Sequence, residues 1–353
     1  HIFVKYSKYL HIICCPYCTD TKIFAKILLG MMPMKNKSTL ICMIICLIFI
    51  LITLLTWNKT TSFLANIIMS DPKTLILPTN DYHKDTKFLF VKETSDFTPL
   101  SKGDLKNIFY TIVNHGWQEF TFYCPKEYTN CLEDIKEFSK NQNLLTHLNN
   151  FVHPYNSFSN VKTSISESGE INVFIQYIYS KEQIKLINEK VDTLYNKLIT
   201  NDMSDYDKIL TIHDYIINNT KYDVERNNNG NSTYHSYTAY GPLFEGYATC
   251  NGYTDAMALF LEKMGITNFK VAMTPDNDLQ EGHVWNALYL DNEWKHLDLT
   301  WDDPVSTDGT DYLQHKYFLI TTKQLKEADS GDVVVVEHNF KDSIYRELKE
   351  KTE

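Results

Sequence analysis

The residues of this sequence best suited to chemistry are a cysteine, a histidine and an aspartate in its C-terminal half. Cys250 lies where a loop enters a helix predicted over 251–264. The free amide groups and the positive dipole at a helix start favour a thiolate, so this position suits a nucleophile. By itself the same cysteine also fits a buried structural residue, because free cysteines are among the most buried residue types.

A predicted β-hairpin brings the histidine and the aspartate together. Its strands, over 282–290 and 294–301, flank Asp291 and the asparagine after it, a dipeptide typical of a two-residue turn. In that register His283 and Asp298 share one face as diagonal neighbours, about 7–8 Å apart at the backbone, which allows an imidazole–carboxylate hydrogen bond. One extra residue in the turn would place the two side chains on opposite faces.

Together the three residues predict a Cys–His–Asp nucleophilic site. Asp298 would orient the imidazole, and the Cys250 thiolate would attack an amide or ester carbonyl. His283 would protonate the leaving amine, and the acyl-enzyme would then pass its acyl group to water or to an amine. The backbone N–H of Cys250 is the predicted oxyanion donor.

Three aromatic residues are weaker candidates for the same site. Tyr240, in the aromatic loop before the cysteine, is a candidate second oxyanion donor. Trp285 and Trp301 flank the predicted triad and are candidates for lining a substrate cleft, although large aromatics on a hairpin more often belong to the core.

No cofactor is predicted, since thiolate, imidazole and carboxylate supply the whole mechanism. A zinc site made of His283, His296, Asp298 and His315 is disfavoured. No close-spaced pair of cysteines or histidines resembles a structural zinc site, and a catalytic one needs three convergent ligands. The sequence therefore predicts no metal site.

The motifs around these residues resemble those of the transglutaminase-like superfamily, which has papain-type folds. The main motifs, in chain order, are Cys250-Asn-Gly-Tyr253, Gly282-His283-Val-Trp285-Asn286 and Trp294-Lys-His-Leu-Asp298-Leu-Thr-Trp301-Asp302-Asp303. Further matches are Ile212-His213-Asp214-Tyr215 and Thr238-Ala-Tyr240-Gly. In that family the three main motifs supply nucleophile, base and orienting acid in this order. The resemblance covers roughly 205–320, and 101–200 resembles the N-terminal region of membrane-anchored bacterial surface proteins of this group.

The resemblance implies an α+β fold, with a helix carrying the cysteine packed on an antiparallel sheet carrying the histidine and the aspartate. It also implies thiol-dependent acyl transfer or amide hydrolysis on protein or peptide substrates. Two alternatives stay open. One is a cysteine peptidase or amidase acting on cell-wall or surface peptides, and the other is an inactive surface-binding or scaffold module that keeps the fold without turnover.

An apolar stretch over 40–57 predicts a single transmembrane helix. Its eighteen residues include no charged side chain, and about 20 such residues cross the hydrocarbon core of a bilayer. All six lysines of 1–57 precede this stretch, so the positive-inside bias leaves the C-terminal body outside the cytoplasm. A cleaved signal peptide is the alternative, but its apolar region is usually only about 7–15 residues long. An uncleaved signal anchor in the cell membrane is therefore favoured.

Composition and periodicity divide the rest of the chain. The predicted segments are 1–33, a leader expected to be translated upstream sequence; 34–57, the signal anchor; 58–100, a stalk; 101–200, an N-terminal α+β region; 201–330, the catalytic domain; and 331–353, a C-terminal tail. Periodic patterns predict helices over 101–115, 181–199 and 205–219 and after Cys131, and strands over 119–123, 161–166 and 170–179.

Charge and cysteine content restrict the partners and the compartment. The 353 residues have a net charge of −10, and 58–353 carry 28 basic against 43 acidic side chains. Such an acidic body does not suit nucleic-acid binding, which depends on attraction to phosphates. Of the cysteines predicted to lie outside, Cys124 and Cys131 could pair, which would leave Cys250 as a lone thiol in an oxidising compartment. The pairing and the oligomeric state stay open.

Overall fold

A computed structural model describes residues 44, 45, 47, 48, 77–166, 168–230 (the backbone alone at 227–229), 232–273, 282–304, 312–330 and 338–349. The chain divides into two units, His1–Lys73 and Thr74–Glu353, and the second contains every element described below. The predicted leader at 1–33 lies outside the described residues, as does most of the predicted membrane helix at 40–57. Within the described ranges, no helix has the length and apolar character needed to cross a bilayer.

The first layer of the unit is a three-stranded antiparallel sheet with three helices. Its elements, in chain order, are α1 (Lys102–Asn114), β1 (Glu119–Tyr123), α2 (Cys131–Lys140), α3 (Gln142–Asn149), β2 (Phe158–Ile165) and β3 (Glu170–Tyr177). The strands are ordered β1-β3-β2. Gly169, just before β3, has a φ of +85°, a value that favours glycine, and lies in the gap between the strands predicted over 161–166 and 170–179.

A disulfide bond joins Cys124, just after β1, to Cys131, the first residue of α2. The two Cα atoms lie 5.8 Å apart, within the usual range for a disulfide. This pairing, which the sequence left open, makes Cys250 a free thiol in the described part of the chain.

The second layer is mainly helical. It contains α4 (Lys181–Leu198), α5 (Asp205–Asn218), β4 (Lys221–Tyr222), α6 (Val224–Asn229), a π-helical turn (Gly241–Glu245), β5 (Tyr247–Ala248) and α7 (Cys250–Met264). Serines cap the starts of α4 and α5: Ser180 forms a capping box with Gln183, and Ser204 accepts a hydrogen bond from the backbone N–H of Asp207. Gly265, with a φ of +73°, ends α7 in the left-handed conformation.

A second three-stranded antiparallel sheet lies between the layers. It consists of β6 (Asn268–Ala272), β7 (Val284–Leu290) and β8 (Glu293–Leu297), in that order, and is followed by α8 (Leu299–Asp302) and α9 (Thr322–Ser330). The predicted hairpin register is confirmed, since Leu290 pairs with Glu293. Both turn residues, Asp291 and Asn292, have positive φ angles of 51° and 65°, as a type I′ turn requires.

Two parts of this sheet differ from the sequence prediction. The second hairpin strand does not run to residue 301: β8 ends at Leu297, because the Asp298 side chain accepts hydrogen bonds from the backbone of Thr300 and Trp301 and starts α8. The strand β6 was not predicted at all. All five of its residues are buried, so it lacks the alternation that reveals a half-exposed strand.

The sheet separates two hydrophobic cores. Phe269 and Trp285 face the first core, which includes the N-terminal layer. Leu288 and Leu297 face the second core, which includes α7. This packing on both faces of the sheet confirms a mixed α/β architecture in which the cysteine-bearing helix α7 packs on an antiparallel sheet.

Segments outside the predicted catalytic domain also pack on this body. Residues 77–100, part of the predicted stalk, have no helix or strand, yet Phe88, Val91 and Phe97 are buried in the first core. Tyr345, in the predicted C-terminal tail, is fully buried in the same core. The segment boundaries themselves stay predictions.

Candidate active site

The sulfur of the site stands at the start of a well-formed helix. Cys250 is the first residue of α7, and Thr249 before it has extended backbone. The Thr249 side chain makes no capping hydrogen bond to the helix; its hydroxyl donates to the Ser236 carbonyl instead. The first backbone N–H groups of a helix lack intrahelical partners. They can therefore receive negative charge that develops next to the sulfur.

A pair of hydrogen bonds holds the helix against the strand that follows His283. One turn after Cys250, the Thr254 hydroxyl donates to the Cys250 carbonyl at 2.7 Å and to the Val284 carbonyl at 3.0 Å. The Asn286 side-chain amide donates to the Thr254 carbonyl at 3.1 Å. These contacts join the first turn of α7 to the start of β7, and so place the thiol beside the imidazole.

The imidazole and the carboxylate meet as the hairpin register predicts. His283 Nε2 lies 2.5 Å from Asp298 Oδ2, and both side chains are buried. Because Asp298 engages Nε2, Nδ1 is the ring nitrogen left for the sulfur, and Cys250 is close enough to this imidazole to help raise its pKa. The structure thus brings Cys250, His283 and Asp298 together in the order thiol, ring, carboxylate.

The charges of the site follow from burial and from these partners. Burial by itself would lower the pKa of His283, but the Asp298 charge and hydrogen bonds to Asp298 and Cys250 outweigh it, and this pKa lies well above its usual range. Burial would raise the pKa of Asp298, but the His283 charge and hydrogen bonds from two histidines hold it well below its usual range. At neutral pH a cationic ring therefore lies between an anionic carboxylate and the thiol.

A second histidine shares the carboxylate, and no sequence motif pointed to it. His338 Nε2 lies 2.9 Å from Asp298 Oδ2, and His338 Nδ1 lies 2.8 Å from Asp329 Oδ1. Burial would lower the pKa of His338, but the hydrogen bonds to Asp298 and Asp329 raise it. His338 belongs to the predicted tail, beyond every recognised motif, so only the fold identifies it as a neighbour of the site.

The loop before the cysteine is tied to α7 by a buried polar network. The Tyr179 hydroxyl donates to Asp255 Oδ2 at 2.7 Å and accepts the Ala239 N–H at 2.8 Å. Lys270 Nζ, from β6, pairs with Asp255 Oδ1 at 2.9 Å. At Gly252 a Cβ atom would lie 2.2 Å from a loop carbonyl oxygen, so only glycine allows this approach.

The three aromatic candidates have different surroundings. Trp285 is fully buried, stacks on the His283 ring at 5.6 Å and donates its indole N–H to His296. Its ring packs against the imidazole, and because Trp285 is fully buried it does not line an accessible cleft. Tyr240 is half-buried and stacks on Phe244 at 4.6 Å. Trp301 is half-buried beside His338, and the roles suggested for it and for Tyr240 stay predictions.

Several histidine–carboxylate groups bring potential metal-ligand atoms within 4.8 Å of one another. They are His83, Glu93 and His115; His213, Asp214 and His315; and His283, Asp298 and His338. The last group is the hydrogen-bonded core of the site described above. The zinc set that the sequence disfavoured, His283, His296, Asp298 and His315, is not among the groups formed by the described residues. His296 is instead buried, with its pKa lowered to about 3 by burial.

Comparison with known families agrees with this arrangement. Residues 192–299 match the family model of the transglutaminase-like superfamily. These residues form a transglutaminase-like domain. The matched region begins within α4 and ends one residue after Asp298, so it includes Cys250 and His283, whereas His338 lies outside it.

Solved structures of low similarity give matches to parts of the chain. A TGase crystal structure is 15% identical, with 44% of this chain and 48% of that one covered and a TM-score of 0.30. A candidate cysteine protease from Cytophaga hutchinsonii is 14% identical, with coverages of 40% and 61% and a TM-score of 0.26. The periplasmic domain of TgpA from Pseudomonas aeruginosa, bound to ethylmercury, is 16% identical, with coverages of 37% and 55% and a TM-score of 0.25.

The chain therefore spans about half to three fifths of the length of these structures. No curated protein matches it in sequence. The family model, and not the structural likeness, identifies the transglutaminase-like domain.

We expect Cys250 of the transglutaminase-like domain to react with iodoacetamide almost equally fast at pH 6 and pH 8. The raised pKa of His283 keeps its ring protonated in this range, and a cation beside the sulfur favours the thiolate. In His283→Ala the rate should fall roughly tenfold per pH unit below about pH 8.5, as for an ordinary thiol. Mass spectrometry of the modified peptide measures both rates.

The control for this experiment is His235→Gln. It removes an exposed ring that pairs with Glu245 at 2.9 Å, and it should leave the pH profile unchanged. A tenfold loss of rate per pH unit in the wild-type protein would contradict the proposed charge state of His283.

We expect His338 to position Asp298. In His338→Ala the alkylation rate at pH 6 should fall roughly tenfold, about the effect of one lost hydrogen bond to a charged group. His338→Gln should keep most of this rate, because an amide can still donate to the carboxylate. It should also move the titration of His283 to higher pH, because a neighbouring positive charge is lost.

The shift in titration separates the positioning role from a purely structural one. A structural role alone would lower the melting temperature of both variants without moving the pH profile of His338→Gln. Because the wild-type rate is flat from pH 6 to pH 8, this shift is sought above pH 8, where the His283 ring loses its proton; an unchanged profile there in His338→Gln would contradict the electrostatic part of the argument.

Proposed function

We propose that the transglutaminase-like domain catalyses acyl transfer from, or hydrolysis of, amides in protein or peptide substrates. One observation carries this proposal: the His283 imidazole lies between a free thiol at a helix start and a buried, ionised carboxylate. Such an arrangement activates a sulfur nucleophile without a metal or a cofactor.

The first half-reaction follows from the positions of the groups. The Cys250 thiolate attacks the substrate carbonyl, and the first N–H groups of α7 receive the charge that develops on its oxygen. The protonated His283 then gives its proton to the leaving amine, and the carbon–nitrogen bond breaks. A thioester at Cys250 and a neutral amine result.

In the second half-reaction His283 acts as the base. The now neutral ring removes a proton from water or from an acceptor amine, which attacks the thioester carbonyl and releases the Cys250 thiolate, so that the thiolate and the protonated ring are restored. Asp298 keeps the ring in the correct orientation through both half-reactions and stabilises its protonated form. The triad serves hydrolysis and crosslinking equally, so the acceptor that enters the site decides the product.

The proposal is tested with a panel of glutamine-containing peptides and a labelled primary amine. We expect the wild-type chain to give an amine-linked or a deamidated product, seen by mass spectrometry. Cys250→Ser should give neither product. Asp298→Asn should lower turnover, because the neutral amide no longer supplies the negative charge that stabilises the protonated His283 ring.

Other outcomes of the same experiment distinguish the remaining functions. Cleavage within the peptide backbone would show a cysteine peptidase or amidase acting on peptides, such as those of the cell wall or surface. Rapid alkylation of Cys250 with no product from any peptide would favour a scaffold module. Slow alkylation at neutral pH would contradict the proposed active site altogether.

We propose further that the transglutaminase-like domain faces the outside of the cell, anchored in the membrane by a helix at 40–57. The lysines before this stretch and the Cys124–Cys131 bond both favour this placement, because disulfides persist in oxidising compartments.

The redox state of the cysteines tests this location. When cells are lysed in iodoacetamide, we expect the label on Cys250 but not on Cys124 or Cys131. A sample reduced before labelling provides the control, since all three should then react. Labelling of all three without reduction would contradict the outside location.

A further inference from the structure

Two histidines and a glutamate converge on the surface, away from the residues of the active site. His83 and Glu93 belong to the irregular segment 77–100, and His115 follows the last residue of α1. His83 Nε2 lies 2.5 Å and His115 Nε2 lies 3.3 Å from the same oxygen, Glu93 Oε1. The ring centroids of the histidines are 4.6 Å apart.

We propose that His83, Glu93 and His115 form a binding site for a divalent transition-metal ion, with zinc as the expected ion. Two imidazoles and one carboxylate are a common ligand set for zinc with an open fourth position. Zinc–nitrogen and zinc–oxygen bonds of about 2.0–2.1 Å require ligand atoms roughly 3.3 Å apart in a tetrahedron. The observed separations lie within 1 Å of this value.

Each histidine also has a partner that orients its other nitrogen. His83 Nδ1 lies 3.1 Å from Asp85 Oδ1, and His115 Nδ1 lies 2.6 Å from the Thr79 hydroxyl. When these oxygens accept a proton from Nδ1, the lone pair of each ring is on Nε2, the nitrogen that faces Glu93. Partners of this kind are typical of metal-binding histidines, and they raise ligand basicity.

The charge and exposure of the group also suit a metal ion. Glu93 and Asp85 bring negative charge, and any proton on Nε2 would leave to solvent on binding. The glutamate side chain is 37% exposed, so water can reach a fourth coordination position.

A bound ion would add a link between two parts of the chain that hydrogen bonds already join, such as the one from the Asn114 side chain, at the end of α1, to the Lys84 carbonyl. It would link the irregular segment that holds His83 and Glu93 to the end of α1. A ligand that binds only the folded chain stabilises it by mass action. The expected role of the ion is therefore to stabilise the packing of segment 77–100 against the end of α1.

Titration of the full-length chain with Co²⁺ and Zn²⁺ tests this site. Cys250→Ser serves as the background, so that the active-site thiol does not compete, and purification tags are removed. We expect one equivalent of Co²⁺ to give visible absorption bands, and Zn²⁺ to displace it. The Trp117 ring stacks on His115 at 4.7 Å, so Co²⁺ should also quench tryptophan fluorescence.

Variants locate the bound ion. His83→Gln and His115→Gln should each lose the Co²⁺ bands. Asp85→Asn should weaken affinity about 10–100-fold, as expected for a group that orients a ligand. Because the Asp85 side chain is almost fully exposed, this substitution should leave the fold intact. His315→Gln, in another histidine–carboxylate group, provides the matched control and should bind as tightly as the background chain.

Two results would overturn the proposal. One is a background chain that binds no Co²⁺ or Zn²⁺. The other is a set of folded variants in which His83→Gln, His115→Gln and Asp85→Asn all bind as tightly as the background. Neither result depends on catalytic activity, so the metal site and the proposed function are tested separately.

Discussion

The candidate active site depends on the burial of one ionised carboxylate. Asp298 is almost completely shielded from water, and an unpaired charge there would cost several kcal/mol. Four donors offset this cost: the imidazoles of His283 and His338, and the backbone N–H groups of Thr300 and Trp301. They come from the start of β7, the start of α8 and a segment after α9. Because all four donors must reach the Asp298 carboxylate, these hydrogen bonds fix the relative positions of three parts of the chain.

The motif residues next to the triad extend this constraint to the helices. Asp302 lies 3.2 Å from a buried histidine of α5, His213. Asp303 accepts a hydrogen bond from the hydroxyl of Tyr253, in the first turn of α7. The aspartates after Trp301 thus connect α8 to α5 and to α7. This arrangement gives a physical reason for the motifs to occur together in one transglutaminase-like domain.

Catalysis and metal binding would use the same arrangement of groups in two environments. In the active site two imidazoles share Asp298 where water is excluded, which suits fixed charges and a proton that moves between sulfur and nitrogen. At the surface two imidazoles share Glu93, whose side chain remains accessible to solvent. There an ion can enter and keep a water ligand. Burial thus determines which chemistry each group supports.

Features that depend on neighbouring residues could be predicted from the sequence alone. The turn at Asp291 set the hairpin register, and periodic apolar residues marked the helices that begin at Lys181 and Asp205. The helix start at Cys250 was predicted to within one residue. In each case the information is local, since turn geometry, caps and periodicity involve residues a few positions apart.

Tertiary structure decided what depends on distant residues. It closed the Cys124–Cys131 pair, buried β6 on both faces, and brought His338 to Asp298 and His115 to Glu93. No periodic pattern encodes these contacts, because each joins residues of different segments whose relative positions are set by tertiary packing. The sequence therefore determined the local elements and the three residues suited to catalysis, whereas packing determined the other groups that surround them.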